Sequence, residues 1–335
     1  MKSGEKASQA SRQASQASKK PAATDRSRAS RRASDRPRVA LVVKRTSWDR
    51  FQKKPTDRLR RLIEKNDPTA ANIRSAHDEH TATVHEVTAA LEELGAEVVR
   101  IATRAFDAQG FSLVVTVGGD GTLLRASHSV DRVPVLAVNS APSSSVGFFC
   151  GARAAEAKGV VAAALAGTLG SVRLCRMRVR LNGTVLSQRV LNDVLFCHAS
   201  PAATSRYLLE YGTIVEEQKS SGLWMGPAAG STAAQRSAGG SVLPLTSERL
   251  QLVVREPYTP RGERYRLQHL FVEPGERVLV RAKSHQMRLY LDGPDQLVRV
   301  GLGDRIELSL SREPLTLLGI APERRWDWPI DKDAE

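Results

Sequence analysis

Cysteines and long apolar runs are both scarce in this sequence. The three cysteines, Cys150, Cys175 and Cys197, are odd in number and widely spaced. This spacing argues against a disulfide framework or a zinc site and indicates reduced thiols in a cytosolic-type compartment. The chain also lacks a secretory signal and any run of about 18 apolar residues. We therefore expect a cytoplasmic protein with no membrane partner.

Clusters of metal-ligating residues are lacking too. Three of the seven histidines, His77, His80 and His85, fall in one helical stretch without a matching group of carboxylates. We interpret these three as surface residues and assign no metal ligand in the sequence.

Positive charge is abundant but unevenly distributed. Residues 1–38 contain 11 Lys and Arg against 3 Asp and Glu, so +8 of the formal net charge of +14 lies there. Residues 7–18 form an imperfect Ala-Ser-Gln repeat, and such a segment buries too little surface to offset the entropy of ordering. We expect a disordered basic tail over residues 1–37, in preference to a tether for nucleic acid or anionic lipid or a mitochondrial transit peptide. Nucleic acid is not expected as a partner outside this tail.

Hydrophobic periodicity predicts an α/β domain over residues 38–150. The all-apolar run Val39–Val43 is typical of a buried parallel strand, and apolar residues spaced by three and four from Val84 to Leu94 mark an amphipathic helix. Further strands are predicted at 97–102, 113–117 and 133–138. This alternation is that of a doubly wound domain, in which ligands bind at the carboxyl ends of the strands.

The pattern changes after residue 170. An Ala-rich helix is predicted over 154–169, residues 172–181 alternate strictly, and Asn182-Gly183 makes a hairpin turn into 184–190. Similar strands are predicted at 206–215, 250–255, 277–282, 287–291 and 305–310. We expect a second, mainly β, sandwich-like domain over residues 151–320 and a C-terminal segment over 321–335.

The most informative motif is Gly-Gly-Asp-Gly-Thr at residues 118–122, between an apolar strand and a helical pattern. Glycines let the backbone approach an anion, and the N–H groups that open the helix attract it. Asp120 would repel phosphate, so we expect it to hold Mg²⁺ or to take a proton from a hydroxyl that is phosphorylated. The alternative is a tight turn with Asp120 as an N-cap.

Two further stretches favour one composite site. Asn192-Asp193 follows an apolar run, and residues 230–233 read Gly-Ser-Thr-Ala within a segment rich in small residues. Taken singly, the first is a turn after a strand, and the second is a flexible linker or the start of a helix. Three separated stretches of this kind indicate one site more strongly than any of them alone.

These three stretches, in this order, resemble the motifs of the NAD kinases. The Gly-Gly-Asp-Gly-Thr motif of that family is matched completely at 118–122, its Asn-Glu motif reads Asn192-Asp193, and its Gly-Ser-Thr-Ala stretch stands at 230–233, with Ser-Ala-Gly-Gly at 237–240. The first motif is shared with diacylglycerol and sphingosine kinases, whereas the three together are far more specific. The likeness spans roughly Arg38 to Leu318.

A narrower resemblance is to the mitochondrial-type branch of the family. Asn139 precedes Gly147 by eight residues, and residues 217–223 read Glu-Gln-Lys-Ser-Ser-Gly-Leu. The commoner bacterial branch has a shorter Asn-to-Gly spacing and an Asp where Ser221 stands. In one departure from the family pattern, Ala234 replaces an aromatic residue, so a stacking ring is missing.

The resemblance implies an enzyme with the two-domain fold of NAD kinases and diacylglycerol kinases, which binds NAD in the cleft between the domains. Its reaction is the ATP-dependent phosphorylation of the 2′-hydroxyl of the adenosine ribose of NAD, with Mg²⁺ as cofactor, in a homo-oligomer. The resemblance assigns to Asp120 the acceptance of the hydroxyl proton. The residues it implies for binding substrate or nucleotide are Gly118, Gly119, Gly121, Thr122, Asn139, Asn192, Asp193, Ser221, Gly230, Ser231, Thr232 and Ala233.

Two other functions stay open at this point. A lipid kinase of the diacylglycerol or sphingosine type shares the first motif, although nothing in the sequence is conspicuously lipid-seeking. A non-catalytic nucleotide-binding protein, with the basic tail as a tether, is the second, and the retained Asp120 argues against it. The preference for NAD or NADH and for ATP or polyphosphate is also open.

Overall fold

The structure is a computed structural model that describes residues 36–102, 106–259 and 265–324. The predicted disordered tail therefore lies outside the described residues, apart from Arg36 and Pro37. Most of the predicted C-terminal segment, from residue 325 onwards, also lies outside them.

A seven-stranded sheet forms the first layer of the fold. Its strands are β1 (Arg38–Val43), β2 (Glu97–Ala102), β3 (Leu113–Gly118), β4 (Val135–Asn139), β5 (Ala152–Arg153), β6 (Ser171–Leu174) and β19 (Leu315–Leu318). They lie in the order β2-β1-β3-β4-β19-β6, with β5 beside β4, and only β6 is antiparallel to its neighbour. The carboxyl ends of β1, β3 and β4 therefore meet at one edge of the sheet.

Helices cover both faces of this sheet. The helices that pack on it are α3 (Ile73–Glu93), α4 (Asp120–Ser127) and α5 (Ala157–Leu165). Two helices before them, α1 (Ser47–Lys53) and α2 (Asp57–Glu64), contain no buried residue, and α6 (Ala234–Ser237) lies further along the chain. The apolar sides of α3 and α5 pack in one buried cluster with Leu41 and Val115, whereas α4 packs in another with Ala40 and Val114. Because neighbouring residues of a strand point to opposite faces, the helices lie on both sides, and the predicted doubly wound architecture is confirmed.

Two six-stranded antiparallel sheets form the rest of the fold. The first contains β7 (Met177–Leu181), β8 (Thr184–Val190), β10 (Ser205–Tyr211), β11 (Ile214–Ser220), β15 (Arg277–Ala282) and β18 (Arg305–Leu310). The second contains β9 (Val194–His198), β12 (Leu223–Pro227), β13 (Leu250–Val254), β14 (His269–Val272), β16 (Met287–Leu291) and β17 (Leu297–Val300). Both sheets contribute to one buried cluster, in which the rings of Phe196 and Tyr207 meet edge to face at 5.5 Å. The predicted sandwich is confirmed.

The division between the layers differs from the predicted boundary at residue 150. Three strands from the predicted second domain, β5, β6 and β19, belong to the first sheet, and the described residues from Pro37 onwards form one compact unit. Residues 172–181, predicted as one strand, are two strands in different sheets, with a break at Cys175 and Arg176. The Arg176 side chain is fully buried at this break and donates to the carbonyls of Ser127 and Val130.

The predicted strand over 206–215 is likewise two strands, β10 and β11, which form a hairpin that turns at Gly212 (φ 59°). None of the helices within residues 36–102, 106–259 and 265–324 combines the length and the hydropathy of a membrane-spanning segment.

Candidate active site

The Gly-Gly-Asp-Gly-Thr turn joins the carboxyl end of β3 to the start of α4. A Cβ added at Gly118 would lie 2.2 Å from Oγ1 of Thr122, and one at Gly119 would lie 2.4 Å from Oγ of Ser145. Packing therefore requires glycine at 118, where Thr122 Cβ would also lie at 2.8 Å, whereas at 119 a rotation of the Ser145 hydroxyl would relieve the contact. At Gly121, by contrast, an added Cβ would meet nothing within 4 Å. The space beside Gly121 is open, and packing does not explain the glycine there.

The carboxylate of Asp120 points away from its own helix. Its Oδ2 accepts the N–H of Phe148 at 2.9 Å, and its Oδ1 accepts the N–H of Phe149 at 2.8 Å. Gly119 is the N-cap of α4, so the alternative interpretation of Asp120 as an N-cap is wrong. Each carboxylate oxygen keeps lone-pair capacity for a further donor, and the two N–H groups fix the orientation of the carboxylate.

Asn139 shapes the loop that supplies these two N–H groups. Its Nδ2 donates to the carbonyl of Ser145 at 2.9 Å, and its Oδ1 accepts the N–H of Ala141 at 3.3 Å. Gly147 lies in the left-handed region (φ 64°), and a Cβ there would lie 2.4 Å from Nδ2 of Asn139. The wide Asn-to-Gly spacing thus forms a loop folded around Asn139. A contact between Asn139 and nucleotide stays a prediction.

His80 lies in the core beside this loop, so its interpretation as a surface residue was wrong. Its Nε2 lies 3.0 Å from the carbonyl of Lys44, and its Nδ1 lies 2.7 Å from Oγ of Ser140. Since a carbonyl only accepts, Nε2 carries the proton and the Ser140 hydroxyl donates to Nδ1. Burial lowers the pKa of His80 below its ordinary value. His80 therefore ties the loops after β1 and β4, which flank the glycine-rich turn. A signal was present in the sequence, because His80 extends the helical stripe that contains Val84.

The Asn192-Asp193 pair lies in the turn between β8 and β9. Nδ2 of Asn192 donates to Oδ2 of Asp193 at 2.8 Å. Asp193 is 5% exposed, and its burial, assisted by the negative charge of Asp292, raises its pKa to about 7. Asp292 also accepts the backbone N–H groups of both residues. Sequence reasoning missed Asp292, although an Asp-Gly pair directly after a predicted strand was a usable signal.

The third stretch packs directly on this turn. A Cβ at Gly226 would lie 2.2 Å from the carbonyl oxygen of Asn192, and one at Gly230 would lie 1.7 Å from it. Oγ of Ser231 donates to the carbonyl of Ala228 at 2.7 Å and accepts the N–H of Leu243 at 2.9 Å. The Ser231 hydroxyl is therefore fully engaged within the fold.

Thr232 and Ala233 follow Ser231 and are partly exposed. Residues that flank the three stretches, Leu123, Leu191 and Ala229, belong to one buried cluster together with Phe148. Within the stretches themselves, Gly230 packs on the backbone of Asn192.

Ser221 lies apart from this group. It precedes β12, five residues from Gly226, which corresponds to about 16 Å of extended strand. Its N–H donates to the carbonyl of Arg255 at 3.0 Å, and it lines a cavity of about 360 Å³ together with Cys197 and Tyr290.

A larger cavity of about 690 Å³ lies at the C-terminal end of α4, away from Asp120. Its charged side chains pair with each other: Arg125 contacts Asp295 at 2.8 Å, and Arg189 contacts Glu313 at 2.6 Å. Because its cations are already paired, this cavity does not replace the glycine-rich turn as the candidate phosphate site.

Known proteins match both the sequence and the fold. A family model described as the ATP-NAD kinase N-terminal domain matches residues 19–169. A probable NADH kinase from Oryza sativa subsp. japonica is 38% identical over 219 residues, covering 59% of this chain and 67% of that protein.

Two solved structures share the fold. An NAD kinase from Archaeoglobus fulgidus in complex with ATP has a TM-score of 0.59 at 20% identity, covering 84% of this chain and 93% of its own. Yeast NADH kinase complexed with NADH has a TM-score of 0.64 at 16% identity, and the match covers 86% of this chain and 85% of the yeast chain.

Proposed function

The chain belongs to the NAD kinase family, and we propose that it transfers the terminal phosphoryl group of ATP to the 2′-hydroxyl of the adenosine ribose of NAD, forming NADP. The observation that carries this proposal is the setting of Asp120. Asp120 lies in a glycine-rich turn at the start of a helix, and its carboxylate is held by the backbone N–H groups of Phe148 and Phe149. Leu191, which precedes Asn192 and Asp193, belongs to the same buried cluster as Phe148 and Phe149.

In the proposed reaction the ribose hydroxyl oxygen forms a bond to the terminal phosphorus. The bond from that phosphorus to the bridging oxygen breaks, and ADP leaves with the electron pair. The hydroxyl proton passes to Asp120, which acts as the general base. Holding the carboxylate in place before the reaction favours this transfer, since a positioned base needs no reorganisation.

Different elements supply the other proposed contacts. The backbone of Gly118, Gly119, Gly121 and Thr122 meets the phosphates, because the N–H groups at the start of α4 attract anions. Asn192 and Asp193 bind the two hydroxyls of a ribose. Thr232 and Ala233 contact the adenine end, and Ser231 supports them through its two hydrogen bonds.

Mg²⁺ is proposed as the cofactor and would arrive with the triphosphate. Among residues 36–102, 106–259 and 265–324, no group of three His, Cys, Asp or Glu side chains could hold a metal ion. Mg²⁺ keeps several waters and binds through substrate phosphates with few protein ligands, so we assign it no dedicated protein site. When bound, the ion neutralises charge on the phosphates.

NADH is a second candidate acceptor. The rice relative is named a probable NADH kinase, and the yeast neighbour was solved with NADH. A serine at position 221 favours such an acceptor, because a carboxylate near the nicotinamide would attract the cationic ring of NAD over the neutral ring of NADH. The mitochondrial-type branch, a homo-oligomeric state and a cytoplasmic location also stay predictions. A mass measurement in solution tests the oligomeric state.

The test is to incubate the purified chain with ATP and Mg²⁺ and, separately, NAD, NADH or diacylglycerol. We expect ADP together with NADP or NADPH. Phosphorylation of diacylglycerol alone would favour a lipid kinase, and nucleotide binding without turnover would favour a non-catalytic protein. Neither alternative gains support from the comparisons.

A further inference from the structure

Asp292 contacts two parts of the candidate site at once. It follows β16 with its backbone in the left-handed region (φ 50°), and its side chain is 2% exposed. Oδ1 accepts the N–H groups of Asn192 at 2.7 Å and Asp193 at 3.1 Å. Oδ2 accepts the N–H of Leu191 at 2.8 Å and bonds to Nε2 of His128 at 2.8 Å. Four donors thus converge on one buried carboxylate.

Three of these donors are backbone groups of consecutive residues. Hydrogen bonds to a charged acceptor are stronger than those between neutral groups. The N–H of Asp292 also donates to the carbonyl of Asp193 at 2.9 Å. Both the side chain and the backbone N–H of Asp292 therefore hold the backbone of residues 191–193. This fixes the positions from which the side chains of Asn192 and Asp193 extend.

The fourth donor extends the contact to the helix that begins at Asp120. His128 is the C-cap residue of α4, and a helix of that length spans about 12 Å. Asp292 therefore lies between the turn that carries Asn192 and Asp193 and the helix that carries Asp120.

The helix has further anchors that do not involve Asp292. Arg176 donates to the carbonyls of Ser127 and Val130 at 2.9 Å each, and Arg189 donates to the carbonyl of His128 at 3.1 Å. Removing the charge of Asp292 would leave α4 in place. The 191–193 turn, in contrast, would lose the acceptor of three N–H groups.

We propose that Asp292 is a positioning residue, which holds the backbone of residues 191–193 and the His128 ring and thereby fixes Asn192 and Asp193 relative to Asp120 for binding the dinucleotide. This inference rests on the proposed function, since it assigns the substrate contact to Asn192 and Asp193.

The negative charge of Asp292 also raises the pKa of Asp193. Burial and the negative charge of Asp292 raise the pKa of Asp193 to about 7. The charged and titratable groups that act on Asp292 are His128, Arg176 and Asp193 itself. An uncharged residue at position 292 should lower the pKa of Asp193, because one of the two causes of the shift is gone.

The test is Asp292→Asn in the full chain, with steady-state kinetics measured across pH beside the parent. We expect the KM for the dinucleotide to rise at least about tenfold, while the KM for ATP changes by less than about twofold. An ionisation in the kcat/KM profile near neutral pH should move to lower pH. Asp295→Asn is the matched control, since Asp295 is 63% exposed and pairs with Arg125. It should leave both KM values unchanged.

An unchanged dinucleotide KM and an unmoved pH profile in Asp292→Asn would overturn the inference. If that variant does not fold, Asp292→Glu decides in its place, because it keeps the negative charge but moves the carboxylate away from the N–H groups of residues 191–193. A rise in the KM for the dinucleotide without a rise in the KM for ATP supports the inference, and two unchanged KM values overturn it. A parent without NAD or NADH kinase activity would contradict the proposed function instead, so the two failures are distinguishable.

Discussion

The two ends of α4 differ in what surrounds their backbone groups. At the N-terminal end, no side chain of the described residues caps the helix, and Asp120 directs its carboxylate to the neighbouring loop. At the C-terminal end, Arg176 and Arg189 reach the last carbonyls, and His128 bonds to Asp292. No side-chain hydrogen bond of the described residues caps the first end, whereas the second end is bound to the β layers.

This difference separates activity from stability. Cations near a helix C-terminus are favourable because they complement the helix dipole, and the N-terminal end of a helix attracts anions. Substitutions at the N-terminal end should therefore reduce turnover while the protein stays folded. Substitutions at the C-terminal end should reduce the free energy of unfolding.

The largest effect is expected for Asp120→Asn. Loss of a general base typically lowers the rate by about 10²- to 10⁴-fold. The variant keeps one acceptor oxygen, but its amide would turn a donor toward the N–H of Phe148 or Phe149, so we expect a stability loss of only about 1–2 kcal/mol. Turnover, nucleotide binding and thermal unfolding should be measured together. Near-normal turnover would remove Asp120 from the chemistry.

Arg176→Met should show the opposite behaviour. The variant fills a similar volume but leaves the carbonyls of Ser127 and Val130 without their donor, which we expect to cost about 3 kcal/mol of unfolding free energy. The control is Arg178→Met in the adjoining strand β7, because Arg178 is 32% exposed and its ion pair with Glu307 is long, at 3.8 Å. Denaturant unfolding should give a lower free energy of unfolding for Arg176→Met and an unchanged value for Arg178→Met. Equal losses would mean that the anchoring of α4 contributes little.

Local sequence patterns were sufficient for much of this fold. The bounds of β2, β15, β16 and β18 coincide with the predicted strands, because each strand has a continuous or alternating apolar pattern of its own. The glycine-rich turn was predictable because its residue types permit few other conformations.

Contacts between distant segments were not predictable in the same way. The alternation of residues 172–181 changes phase at Cys175, because the apolar positions are 172 and 174 before it and 177, 179 and 181 after it. This shift signals a break in the strand, but it does not reveal that the two strands join different sheets. The four donors at Asp292 come from α4 and from residues 191–193, which only the tertiary fold brings together. His80 differs from these, since its place on the apolar stripe of α3 could have revealed its burial.

Gly121→Ala tests whether the N-terminal end of α4 is kept open for a ligand. The added methyl group meets nothing within 4 Å, and alanine in a helix is favoured over glycine by up to about 1 kcal/mol. We therefore expect equal or slightly higher stability, together with a rise of about tenfold in the KM for ATP.

Gly159→Ala is the matched control for this variant. Gly159 is also exposed, lies in the first turn of α5 and has open space around its Cα. It should gain stability without any change in kinetics. If Gly121→Ala also leaves the KM for ATP unchanged, no ligand approaches α4 closely at Gly121.

The smallest effect is expected at Ser221, which lies well away from α4 at the start of β12. A carboxylate about 5 Å from a cationic nicotinamide ring is worth on the order of 3 kcal/mol before desolvation, at an effective dielectric constant of about 20. Arg255 lines the same cavity as Ser221 and would neutralise part of that charge. Ser221→Asp should therefore raise the NAD/NADH ratio of kcat/KM only several-fold. Ser200→Asp is the control, because it adds the same charge to the exposed rim of that cavity. It distinguishes a specific contact of residue 221 with the nicotinamide from a general effect of added negative charge. A ratio that moves equally in both variants, or in neither, would leave Ser221 with a structural role and place the nicotinamide elsewhere.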